Sequence, residues 1–282
     1  MIHFLKQNVN LKTVRFFMVA IFVLIISSCK NEKVCDCSGG NDKEDYAAYF
    51  IAHAGGAIDG INYTNCLEAL DLSYSKGCKL FELDLITTTD NKFVAAHHWE
   101  QYKTMVDYPG TIDDTPLSEE GFLSFKIHGK YTPMNMDAIN LWFQNHPDAI
   151  LVTDKTNDPE KIYNDFLFPD RVIMELFSWN AIDKAIELGI KPLVTEGLFF
   201  DTPNIEQVFE DKDIEYFGMS RYRMMGNENL LRRLKEKGLK NYVWGLESKI
   251  NGQPPEQYVW NYEMNFCYGM YANDLDLLAS LF

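Results

Sequence analysis

Apolar and polar positions along this chain alternate between two periods. Residues 79–85, Lys-Leu-Phe-Glu-Leu-Asp-Leu, have period two and predict a strand. Within 65–76, Leu67, Leu70 and Tyr74 fall on one helical face, and Gly77 suits the cap that follows. The same reading predicts strands over 49–52, 93–96, 149–153, 171–176, 191–195, 215–219, 241–244 and 266–271. Helices are expected over 136–145, 178–188, 204–210, 227–237 and 275–282. Residues 88–92 read as a turn, so the second strand runs into a small hairpin. Residues 100–132, with Pro109, Gly110, Pro116 and Gly129, read as an irregular insertion or lid. Repeated strand-then-helix units argue for parallel strands joined by crossovers. About eight such units fit a closed (β/α)8 barrel of α/β class, with the hairpin inserted after strand two. An open doubly wound sheet is the alternative, but no G-x-G-x-x-G turn for a dinucleotide is present.

The first apolar run belongs to another category. Lys6, Lys12 and Arg15 precede the apolar run 16–26, which is short for a bilayer-spanning helix. Ile26-Ser27-Ser28-Cys29 follows and resembles a bacterial lipobox, in which the Cys thiol is lipidated. Residues 1–28 are thus expected to be a lipoprotein signal peptide and Cys29 the lipidation site. Residues 29–45 are polar and read as a flexible tether, with Cys35 and Cys37 incidental. Residues 46–282 form the folded domain. The expected location is the bacterial cell envelope, with the protein held to a membrane through its lipid anchor.

Composition narrows the function. Net charge is −15 at pH 7, which argues against nucleic-acid partners, since these require Lys and Arg to displace counterions. It argues equally against docking on anionic lipid through a basic face. Cys66, Cys78 and Cys267 are odd in number inside the domain, so they read as small core residues.

Barrel enzymes place their chemistry where strands end. His53, Glu82, Asp84, His97 and Asp154 all fall at or near such ends. Glu82 and Asp84 lie two apart on one strand, so their side chains point the same way. Two inward carboxylates repel each other, and a divalent cation resolves that conflict. An outward-facing, solvated pair is the bland alternative. His53 and His97, beside those carboxylates, are candidates for a general acid/base pair. His98 is expected to point away from His97. Glu175, Glu196, Trp244 and Tyr271 are softer candidates, with Trp244 a possible wall of a substrate pocket.

Taken together, several pieces resemble the glycerophosphodiester phosphodiesterase family. They are Ile51-Ala52-His53-Ala54-Gly55-Gly56, Asn65, Phe81-Glu82-Leu83-Asp84-Leu85, Thr88-Thr89-Asp90-Asn91-Lys92-Phe93-Val94 and Ala96-His97. The resemblance is tight over 51–99. Beyond Asp154 only the alternation of elements remains. It implies a TIM barrel, a Ca2+ or Mg2+ ion, and hydrolysis of a small-molecule or polymeric phosphodiester to a phosphomonoester and an alcohol. It further implies His53 and His97 as base and acid, and Glu82, Asp84 and Asp154 as metal ligands. Three departures stand out. Ala54 replaces the Arg that usually holds phosphate. Thr64 replaces a Glu that usually binds metal. The usual acid-x-Lys pattern is compressed to Asp154-Lys155, leaving Lys155 as a candidate phosphate contact. Two other readings fit the same residues. One is a catalytically impaired barrel that binds a phosphorylated or sugar ligand. The other is a lyase that releases a cyclic phosphate.

Overall fold

The computed structural model describes residues 46–282. The expected leader, the Cys29 lipidation site and the tether with Cys35 and Cys37 lie outside the described residues. Among the described residues, no helix is long and apolar enough to cross a membrane.

Eight parallel strands close into a ring. They are β1 (Phe50–Ala52), β2 (Leu80–Thr87), β4 (Ile150–Asp154), β5 (Val172–Leu176), β6 (Lys191–Val194), β7 (Tyr216–Ser220), β8 (Lys240–Trp244) and β9 (Gly269–Ala272). β1 joins both ends, pairing Ile51 with Leu80 on one side and with Tyr271 on the other. The ninth strand, β3 (Phe93–Ala95), stands outside the ring and pairs antiparallel with β2, Leu85 against Ala95. The fold is therefore a (β/α)8 barrel carrying a hairpin after its second strand. The α/β class and the place of the hairpin are as the periodicity predicts.

Side-chain parity sorts each strand into two faces. Ile51, Leu80, Val152, Ile173, Leu193, Tyr216, Tyr242 and Tyr271 fill the barrel interior. Phe81, Leu83, Leu85, Leu151, Met174, Leu176 and Val243 point outward into a shell of helices. Glu82 and Asp84 share parity with Leu80, so they enter the barrel above its apolar plug. Their exposures of 1% and 2% exclude the solvated alternative. Gly269 makes room for the plug. A Cβ there would lie 2.6 Å from Tyr242 Cε1.

Several helices begin where a side chain satisfies a free backbone amide. Asn135 accepts from the Ala138 N–H ahead of the helix Met136–Asn145, and Ser178 accepts from Ala181 ahead of Trp179–Glu187. The helices Pro159–Asp165 and Pro255–Tyr262 went unforeseen because proline reads as a breaker, yet it suits a first helical turn. Residues 100–132 are more ordered than expected. The helices Trp99–Met105 and Glu119–Leu123 pack Trp99, Tyr102 and Phe122 with Val94 and Ile127 in a separate apolar cluster. Cys66, Cys78 and Cys267 are free and buried, as expected of core residues.

Candidate active site

The C-terminal ends of the strands surround a cavity of about 510 Å³, lined by His53, Tyr63, Glu82, His97, Asp154, Lys155, Glu175, Phe177, Trp244, Glu247 and Tyr271. No residue of 100–132 lines it, so of the two readings of that segment, insertion or lid, the structure favours the insertion.

The chain leaves β1 through a left-handed turn: φ is 49° at Ala54, 82° at Gly55 and 92° at Gly56. That turn aims the Ala54 N–H at Glu82 Oε2, 2.6 Å away. Glu82 Oε1 is buried and has no hydrogen-bond partner. Asp84 is held by Asn65, whose Nδ2 donates to Asp84 Oδ2 at 2.8 Å while its Oδ1 accepts from the Asp84 backbone at 3.0 Å. Strand register sets Asp84 beside Asp154. Carboxylate oxygens of Glu82, Asp84 and Asp154 lie within 4.8 Å of one another.

On a continuing strand Lys155 would face away from Asp154, but the strand ends at Asp154: φ at Lys155 is +67°, and the side chain turns into the cavity. Its Nζ lies 3.2 Å from Asp154 Oδ2 and 3.9 Å from Asp84 Oδ1. Glu175 sits one register step beyond Thr153–Met174, beside Asp154. Its Oε2 accepts from the Tyr271 hydroxyl at 3.2 Å, across the barrel.

Burial and mutual repulsion favour the protonated form of these acids. Glu82 lies well above its ordinary range, through burial first and then the charges of Asp84 and Asp154. Asp84 is pushed up to about 7 and Glu175 to about 8, again by burial first and then by Asp154. Burial opposes the charge of Lys155, but Asp154 and Asp84 outweigh it and raise its pKa. Three converging carboxylates and one orphaned buried oxygen fit a hard divalent cation, which takes oxygen ligands. Glu82, Asp84 and Asp154 are the residues able to hold it.

The two histidines flank this cluster. His53 Nδ1 lies 3.2 Å from Asn273 Oδ1. A carboxamide oxygen only accepts, so His53 donates from Nδ1 and presents a bare Nε2. Burial lowers the His53 pKa and brings that of His97 to about 4, the latter with help from the charge of Lys155. The Tyr63 ring separates the pair edge-on, 4.7 Å from His53 and 5.4 Å from His97. Tyr63 is tethered by donating to Glu247 Oε1 at 3.0 Å. His98, expected to point away, instead brings its Nδ1 to 2.8 Å from His97 Nδ1.

The structure thus gathers His53, His97, Glu82, Asp84, Asp154, Lys155 and Trp244 around one cavity or its immediate wall. Glu196 plays no part there; it accepts from the backbone and hydroxyl of Ser220. Tyr63, Phe177 and Glu247 were not foreseen, for they lie on loops where no period announces them. Glu175 carried a usable signal, since its two-residue offset from Ile173 gives it interior parity.

No protein-family model matches the chain, and no curated protein matches it either. Solved structures do. A glycerophosphodiester phosphodiesterase from Thermotoga maritima superposes with a TM-score of 0.62 at 18% identity, covering 83% of this chain and 98% of that one. A glycerophosphoryl diester phosphodiesterase from Parabacteroides distasonis gives 0.65 at 15% identity, covering 84% and 87%. A phosphodiesterase from Oleispira antarctica, in complex with its product sn-glycerol-3-phosphate, gives 0.61 at 16%, covering 84% and 98%. At such identities the likeness establishes a shared fold.

Proposed function

We propose that the domain is a divalent-metal phosphodiesterase, a divergent member of the glycerophosphodiester phosphodiesterase family. It would cleave a glycerophosphodiester or a related envelope phosphodiester to a phosphomonoester and an alcohol. The observation that carries this reading is the meeting of three carboxylates, one with an orphaned buried oxygen, and two histidines in one cavity. The shared fold with phosphodiesterases supports it.

Glu82, Asp84 and Asp154 would hold Ca2+ or Mg2+, which would supply positive charge to offset that of the phosphate. The chain's own residues do the rest. Lys155, turned inward at the rim of the acidic cluster, offers an ammonium to another phosphate oxygen. His53, with Nε2 bare, accepts a proton from the attacking water. His97 delivers a proton to the departing alcohol oxygen. Trp244 and Phe177 wall the cavity where that alcohol lies. Tyr63 stands between the two imidazoles and spaces them. Export, lipidation at Cys29 and residence at the cell envelope belong to the same proposal and are supported by the sequence alone.

The test is hydrolysis of bis(p-nitrophenyl) phosphate and glycerophosphocholine by the full chain in detergent. Ca2+, Mg2+ and EDTA are compared, with His53→Ala and Glu82→Ala alongside. Metal-dependent turnover lost in both variants is the expected result. A cation that raises the melting temperature without turnover on either substrate would favour the impaired, ligand-binding barrel.

A further inference from the structure

His98 follows His97 at the mouth of the hairpin and precedes the helix Trp99–Met105. Its backbone is fully extended, with φ −164° and ψ 163°. Consecutive side chains on extended backbone ordinarily diverge. These two converge: their Nδ1 atoms are 2.8 Å apart, with ring centroids 5.0 Å apart and planes inclined at 68°. Two Nδ1 atoms at that distance share one proton, because one must donate and the other accept.

His97 lines the cavity and His98 does not. With its Nδ1 engaged, His97 has only Nε2 left to meet a substrate. The groups around His97 include Lys155, Asp154, His53 and Tyr63, and no hydrogen bond from any of them fixes its ring. Its orientation therefore depends on His98.

We propose that His98 is a positioning residue that accepts the Nδ1 proton of His97 and so commits Nε2 of His97 to proton delivery. The inference rests on the phosphodiesterase reading. In the step concerned, the water oxygen forms a bond to phosphorus and its proton passes to His53. The bond from phosphorus to the alcohol oxygen breaks, with its electron pair leaving on that oxygen. The Nε2 proton of His97 neutralises the leaving oxygen. Before the step His97 carries a proton on each ring nitrogen, a charged form that the phosphodiester anion favours once bound; after it His97 is neutral, still protonated on Nδ1 and still bonded to His98, with Nε2 free for the next proton. No oxidant or reductant enters.

Leaving groups separate this role from a merely structural one. Choline departs from glycerophosphocholine as a basic alkoxide that needs a proton. p-Nitrophenolate leaves without one. In the full chain with Ca2+ or Mg2+, His98→Phe should lower kcat on glycerophosphocholine about 10- to 100-fold, within the range of general acid catalysis. On bis(p-nitrophenyl) phosphate it should cost no more than about threefold. His98→Asn, which restores a carboxamide near the Nδ1 position, should recover most of the loss. Equal losses on both substrates, or none on either, overturn the proposal. A second measurement does not need turnover. The ring 15N shifts of His97 should report a protonated, hydrogen-bonded Nδ1 in the parent and should change in His98→Phe; unchanged shifts overturn the proposal. If the shifts respond while the parent protein hydrolyses neither substrate, the phosphodiesterase reading fails and the His98–His97 pairing stands.

Discussion

Asn65 grips Asp84 at two points, donating from Nδ2 to the carboxylate and accepting the backbone N–H of the same residue. Asn65 is fully buried and left-handed, with φ 49°, a conformation that asparagine tolerates better than most residues. The grip fixes one wall of the carboxylate cluster before any ion arrives.

Asn65→Ala should therefore loosen Asp84 and leave a buried carboxyl short of a partner. The expected cost is about 1–3 kcal/mol of stability. Divalent-ion affinity should fall about 10- to 100-fold, as when other groups that orient metal ligands are lost. Calorimetric titration with Ca2+ and chemical denaturation in EDTA measure the two effects separately.

Stability without metal should fall as pH rises from 6.5 to 8. Asp84 titrates at about 7 and Glu175 at about 8 in the fold, against ordinary values of 3.8 and 4.5. In between, the folded protein keeps protons that the unfolded chain has lost. That stabilisation is complete below the ordinary values and is lost as pH climbs through the folded ones. His53 and His97 act oppositely but only below 6.5, their ordinary value. The slope is about 1.4 kcal/mol per pH unit for each retained proton. Thermal melts in EDTA at pH 6.5 and 8 should show the drop, and Glu175→Gln should flatten it. A melting temperature that holds or rises would contradict the assigned burial of these acids.

Lys155 competes for the carboxylates that would hold the ion, lying 3.2 Å from Asp154 and 3.9 Å from Asp84. Lys155→Met should thus bind Ca2+ several-fold more tightly in the absence of substrate, an electrostatic gain on the order of 1 kcal/mol. Turnover should nevertheless fall, with KM rising, because a phosphate contact is gone. Weaker ion binding in the variant would mean that Lys155 supports the cluster and does not compete within it.

Gly269 is tied to the barrel plug by contact. Its missing Cβ would lie 2.6 Å from Tyr242 Cε1 and 2.6 Å from the Tyr49 carbonyl oxygen. Gly269→Ala should destabilise the protein by about 1–3 kcal/mol or more through overpacking. Circular-dichroism melts would read the loss, while ion binding by the folded fraction should stay close to the parent value.

Much of this architecture is visible in local pattern. The alternation of periods two and 3.6 is a property of neighbouring residues, so strands, helices and barrel class could be read from sequence alone. The spacing of Glu82 and Asp84 likewise put both carboxylates on one face, because strand parity is local. Which face enters the barrel, and what stands level with it, depended on ring closure. The register Asp84–Asp154 and the adjacent place of Glu175 arise from hydrogen bonds between strands far apart in sequence. Backbone handedness at Lys155 and the convergence of His97 with His98 also came only with tertiary packing. Sequence determined which chemical groups the barrel carries and which strand ends bear them. Only the folded ring, by setting register and turning the loops, decided which of those groups meet.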